Sequence, residues 1–289
     1  MTTTLKLWFS TVATTLANPG ALLVFAIIYA FLLVASYIFI WIREATISQV
    51  LVTYALVILI PIGFFALQAS IIDRVLDQKF RWRVILIDAL KFLAVTIPVL
   101  LIVWLLYYLL NKVAARYPAP VPVVAAVQAG RAAHPTPPTP PATPPLHWPS
   151  LIFSTLRFAL LGVAFPLATI HLWIAVAGGG VRTLFGDGPK SFFKRIGSAL
   201  ARTFSSDSVA IYGLGLIIFF VLPYVILVPV FRIGGNKTEF AVFGLRLLLA
   251  FFFSLVGWVS TLTALARTAP ALPTEVSEPN VALPAESAA

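Results

Sequence analysis

Long hydrophobic runs separated by short polar breaks set the plan of this chain. Six of them, at about 21–42, 47–68, 86–110, 151–177, 209–231 and 240–266, approach or exceed the roughly 20 residues that cross a bilayer as a helix. Trp41, Trp82 and Trp148 stand at their ends, where indole rings favour the membrane–water interface. Prolines interrupt four runs, at Pro61, Pro98, Pro166, and Pro223 with Pro229. Such kinks survive in lipid when neighbouring helices or hydroxyls take up the freed carbonyls. The pattern predicts an all-α fold, a polytopic membrane bundle of six transmembrane helices.

Between the runs the pattern becomes two-sided. In PKSFFKRIGSALARTF, from Pro189 to Phe204, the side chains Phe192, Phe193, Ile196, Leu200 and Phe204 fall at helical spacing on one side. Lys190, Lys194, Arg195, Ser198 and Arg202 occupy the other. A helix so divided lies in the interface with its cations at the headgroups. Residues 1–19 show the same division, with Leu5, Trp8, Phe9, Val12 and Leu16 opposite threonines and Ser10, and Asn18-Pro19-Gly20 ends the segment. Lys6, Trp8, Phe9, Val12 and Leu16 align without gaps on Lys190, Phe192, Phe193, Ile196 and Leu200. A looser copy, KFRWRVILIDALKF, starts at Lys79. Two or three cytoplasmic amphipathic interfacial helices are therefore expected. One membrane domain, 1–267, would contain three parallel units of interfacial helix plus hairpin, at 1–68, 75–177 and 189–267.

Two regions stand outside this plan. Residues 115–150 include HPTPPTPPATPPLHWP, whose proline density enforces extended polyproline backbone and prevents a packed core. They are expected to form a semi-rigid external loop, with docking of an outside partner as the alternative. The Pro-, Ala- and Glu-rich stretch 268–289 is expected to be a disordered cytoplasmic tail.

Composition agrees with a membrane protein. Only 10% of the 289 residues are charged, against about 25% in a soluble domain. The net charge of +10 would suggest nucleic acid in a soluble protein, but no folded basic domain is present to bind it. Instead 12 of the 20 lysines and arginines collect in the loops of one side. That bias predicts both termini in the cytoplasm and, in a bacterium, residence in the inner membrane. The absence of cysteine excludes disulfides, thiolate metal sites and a cysteine nucleophile.

Few side chains offer chemistry. The expected headgroup-binding set is Lys190, Lys194, Arg195 and Arg202, with Lys79, Arg81 and Arg83 from the looser copy. His171 lies about five residues, or roughly 7 Å, from the cytoplasmic end of its span. A lone membrane histidine can bond across a helix interface, ligate haem or a pigment, or relay a proton. Trp173, Gly162 and Ala164 are the neighbours that would frame a cofactor there. Arg157 and Arg246 stand one to two turns below the external surface and either snorkel out or face an anion vestibule. No Asp or Glu is expected deep in a span. Asp73 and Asp77, four apart on a helical extension, form a weak Mg²⁺ candidate beside the simpler pairing of Asp77 with Arg81. Glycines at 178–180 and 186–188 read as joints, and Ser198 lacks the context of an elbow nucleophile. Neither a catalytic constellation nor a cofactor is expected.

The segments KSFFKRIGSALARTF and LKLWFSTVATTLANPGALL, each a basic two-sided stretch leading into a span, resemble bacterial six-span membrane proteins. Among these is the membrane domain that accompanies some glycerophosphodiester phosphodiesterases. In that family the hydrolase resides in a separate soluble domain, which these residues do not contain, and the proline-rich insert departs from the pattern. The resemblance therefore implies a membrane part without the enzyme. The expected role is a non-catalytic membrane-organising or scaffolding subunit that binds anionic lipid and a protein partner in a membrane complex. A transporter or channel with a path between the units is the first alternative, and a haem- or pigment-binding subunit through His171 the second.

Overall fold

A computed structural model describes residues 2–43, 46–77, 80–118, 147–179, 189–228 and 236–268, and among them there is no strand. The helices are α1 (Thr2–Leu16), α2 (Pro19–Trp41), α3 (Ile47–Asp77) and α4 (Trp82–Ala114), then α5, α6 (Pro189–Thr203), α7 and α8 (Asn236–Thr268). Helix α5 runs as Trp148–Arg157, a π-helical stretch Phe158–Ala164, and Phe165–Gly179. Helix α7 repeats that design as Ser206–Leu216, π-helical Ile217–Val221 and Leu222–Leu227. Six helices, α2 to α5 with α7 and α8, are long and apolar enough to cross a membrane. The fold is all-α, as the periodicity predicts.

Proline explains where the helices widen. Each π-helical stretch ends two residues before a proline, Pro166 or Pro223, whose ring clashes with the carbonyl four residues back. Widening to i→i+5 bonding lets the chain pass without a break: Phe165 N–H bonds Leu160 O, and Leu222 N–H bonds Ile217 O. Pro61 and Pro98 are carried inside continuous α-helix.

The third two-sided segment does not form a separate interfacial helix. Val84 and Ile85 already donate to the carbonyl of Arg81, and the helix continues unbroken to Ala114. No Gly or Pro stands between Arg81 and Pro98 to stop it. Two independent short helices remain, α1 and α6, each of 15 residues. The residue pairing of α1 is also particular. Thr4, Trp8 and Thr11 are buried and face protein, whereas Leu5, Phe9 and Leu16 are exposed, as are Ser10 and Thr14.

The chain forms two compact units, one of Met1–Thr96 with Leu167–Ala289 and one of Ile97–Pro166. In the first, α2 packs along α3, α1 and α7 pack along α8, and α8 lies against α3. Small residues let α7 and α8 meet. A Cβ on Gly257 would lie 2.8 Å from the backbone nitrogen of Phe219, and one on Gly215 would lie 2.0 Å from Thr261 Oγ1. The Leu167–Val176 stretch of α5 is enclosed, with Leu167, Ile170, Leu172 and Val176 buried. Trp173 stacks on Phe92 at 5.9 Å, meets Phe65 edge-on at 5.8 Å, and donates Nε1–H to Thr96 Oγ1 at 2.9 Å. In the second unit Tyr117 and Phe153 bring the end of α4 to the start of α5, ring centroids 6.1 Å apart.

Candidate functional site

Antiparallel connection brings the beginning of α2 beside the ends of α3 and α8. Asn18 Oδ1 accepts from Ala21 N–H and caps α2, with Pro19 as its first residue. Arg74 comes from the last turn of α3 and Arg267 from the last turn of α8. These three residues, with Thr14, Thr15 and Thr263, line a cavity of about 250 Å³ over an apolar floor that includes Phe25 and Ile71. Arg267 Nη1 lies 3.4 Å from Thr11 Oγ1, and the Arg74 guanidinium sits 5.1 Å from the centre of the Phe80 ring. No carboxylate is among the described lining residues. Two guanidiniums, an Asn side chain and the positive end of a 23-residue helix thus converge, a constellation suited to an oxyanion.

The expected headgroup cations lie at this same end of the helices. Lys190, Lys194 and Arg202 are exposed on α6, and Arg81 and Arg83 are exposed where α4 begins. Lys79, Gly180, the glycines of 186–188 and the proline-rich stretch 119–146 lie outside the described residues, as do the side chains of Asp77 and Arg195, whereas Gly178 and Gly179, expected as a joint, continue helix α5.

Asp73 meets a different carboxylate from the one its spacing suggests. Asp73 shares a cleft with Asp88 of α4, and Asp88 Oδ1 accepts from Lys91 Nζ at 2.5 Å. Asp73 Oδ2 is buried and has no hydrogen-bond partner among the described residues. Together with Arg81 these side chains line a cleft of about 550 Å³. Asp88 is itself buried among protein side chains, at the seventh residue of α4. Its i,i+3 spacing to Lys91 is the sequence signal that marks it. No group of three or more His, Cys, Asp or Glu that would hold a metal occurs among the described residues.

His171 is buried, and its Nε2 lies 3.1 Å from Ser208 Oγ of α7, an interhelical bond. Ser208 belongs to the first turns of α7, where Ser205 caps the helix and Asp207 Oδ1 accepts from Thr4 Oγ1 of α1 at 2.5 Å. Arg246 closes the other end of α7, with Nε donating to Ile226 O at 2.6 Å and Nη2 to Leu227 O at 2.8 Å. It therefore caps a helix C-terminus. Arg157 is half-buried in the second unit, its Nε without a hydrogen-bond partner among the described residues. Gly162 and Ala164 lie in the π-helical stretch of α5, where a Cβ on Gly162 would stand 3.3 Å from the Phe158 ring.

The cavity between Arg74 and Arg267 unites residues almost 200 positions apart, and only the capping Asn18-Pro19 marks it locally. No family model, no curated protein and no solved structure matches this chain.

Proposed function

We propose that this is a non-catalytic membrane-organising or scaffolding protein that holds anionic lipid at its cationic, cytoplasmic end. The observation that carries the reading is the cavity lined by Arg74, Arg267 and the start of α2, with no carboxylate among its described lining residues. A lipid phosphate seated there would extend its chains along the apolar floor of Phe25 and Ile71. The exposed cations Lys190, Lys194, Arg202, Arg81 and Arg83 would draw further anionic headgroups to the same face. Each basic side chain near an anionic surface contributes about 1 kcal/mol before screening. The same end would carry the protein partner of a membrane complex, with the proline-rich stretch on the opposite side.

Native mass spectrometry of the protein in mixed phosphatidylglycerol and phosphatidylcholine tests this. The wild type should retain phosphatidylglycerol selectively, and Arg74→Gln with Arg267→Gln should abolish that selectivity. Equal retention of both lipids by the wild type would sink the reading.

The Asp73–Asp88–Lys91 cluster supports a second one, a transporter with a proton or cation path through the cleft beside α4. Buried ionisable groups within a span are costly and commonly line such paths. Flux into liposomes that disappears in Asp88→Asn would favour it over scaffolding.

A further inference from the structure

Gln68 is a fully buried amide with half of its bonding capacity unused. Trp258 donates Nε1–H to Gln68 Oε1 at 2.7 Å. That bond fixes the amide orientation, because a flipped amide would set N–H against N–H. Gln68 Nε2, with two hydrogens to donate, is buried and has no hydrogen-bond partner among the described residues. Leaving such a donor unmade costs about 1–3 kcal/mol, so the group calls for an explanation.

Gln68 lines a cavity of about 320 Å³, at the lower end of the range for small-ligand sites. Helices α2, α3, α7 and α8 all border it, and its walls are mainly Leu32, Leu67, Leu255 and Phe219. Leu33 and Phe64 also line it and are exposed, so it opens on a lipid-facing surface. Water is a poor occupant, since it needs two to four polar partners. The indole of Trp258 is already committed to Gln68 and Ser254 Oγ donates to Phe219 O, which leaves the hydroxyls of Tyr29 and Ser36 as the other polar groups of a mainly apolar wall. The space wants an apolar body, and the amide wants an acceptor.

We infer that this cavity is a binding site for a membrane-borne carbonyl compound, an apolar chain whose carbonyl oxygen accepts from Gln68 Nε2. The acyl ester of a glycerolipid and an isoprenoid-type quinone both offer that oxygen. The site is independent of the headgroup cavity, because recognition rests on the carbonyl rather than on charge.

Photolabelling of the full chain in phosphatidylcholine vesicles tests it. One probe carries a diazirine on an ester-linked chain, and its counterpart has the same chain ether-linked and so lacks the carbonyl. The ester probe should label the segments of α3 and α8 around Gln68 and Trp258 about fivefold more than the ether probe, the worth of one hydrogen bond. Gln68→Leu should reduce ester labelling to the ether level, and Ser36→Phe, which fills the cavity, should reduce both. Competition by a short-chain benzoquinone at low occupancy would assign the site to a quinone, and its failure would assign the site to the acyl ester. Equal labelling of the wild type by both probes, or full ester labelling of Gln68→Leu, would overturn the inference. The wild-type comparison stands even if one variant fails to fold.

Discussion

Ser254 on α8 donates its hydroxyl to the carbonyl of Phe219 on α7 at 3.1 Å, and Pro223, four residues after Phe219, has no N–H to offer that carbonyl. The neighbouring helix therefore supplies the donor that proline removes, which is how lipid tolerates proline in a span. Ser254→Ala should destabilise the protein by about 1 kcal/mol. In a Pro223→Ala background the same change should cost less, because a backbone donor returns. A double-mutant cycle in detergent, followed by thermal unfolding, reads the difference, and a zero coupling energy would contradict this account.

Gly257 and Gly215 set how closely α7 and α8 approach. Alanine at Gly257 meets the backbone nitrogen of Phe219, which no rotamer change can move aside. Gly257→Ala should therefore destabilise by about 1–3 kcal/mol, the usual cost of overpacking. Gly213→Ala and Gly244→Ala, with open space around the added methyl, should be neutral or slightly stabilising. Parallel melting curves of the three variants decide the matter.

The acidic pair should respond unevenly to neutralisation. Asp88 holds Lys91 as well as facing Asp73, whereas Asp73 has one oxygen with no hydrogen-bond partner among the described residues. Asp88→Asn should cost about 1–2 kcal/mol, since it strands a partly buried ammonium group. Asp73→Asn should be neutral or stabilising. Equal losses in both variants would count against the assigned roles.

Much of this arrangement can be read along the chain. The spans announce themselves because lipid demands long apolar runs, and α1 separates from α2 at Asn18-Pro19 because proline starts a helix well. Interior contacts are harder to read. A boundary placed at residue 68 makes Gln68 look like the edge of a span, yet α3 continues to Asp77 and encloses it. Asp88 was hidden for a related reason, since KFRWRVILIDALKF reads as a surface helix while its aspartate points inward. The apolar window of α5 has a mean hydropathy of 2.0, the lowest of the six, and is the most buried at 56%. In lipid the most apolar helices belong outside, so low hydropathy is the clue that the Leu167–Val176 stretch of α5 is enclosed. No local pattern could pair Arg74 with Arg267, because that meeting depends on how α3 and α8 pack.

Sidedness is open to a direct test because the chain has no cysteine. Ser191→Cys on α6 should react with a membrane-impermeant maleimide only after the cytoplasmic face is opened. Ser150→Cys at the start of α5 should react from outside. The reverse pattern would invert the orientation inferred from the cations.

The widened stretch Ile217–Val221 has a consequence for the phase of α7. Each helical residue turns the chain by about 100° and advances it about 1.5 Å. In the widened turn i→i+5 bonding takes up one extra residue, so deleting one residue between Ile217 and Val221 would restore ordinary α winding and leave Leu222–Leu227 in about the same phase against Ser206–Leu216. Ser208 would stay on His171, and Ile226 and Leu227 would keep their carbonyls on Arg246, whereas the same deletion in the ordinary α-helix between Ser208 and Leu216 would turn the two ends about 100° out of step. The π-helical stretch works as slack in the winding, taking up one residue without moving either end of the helix off its partner.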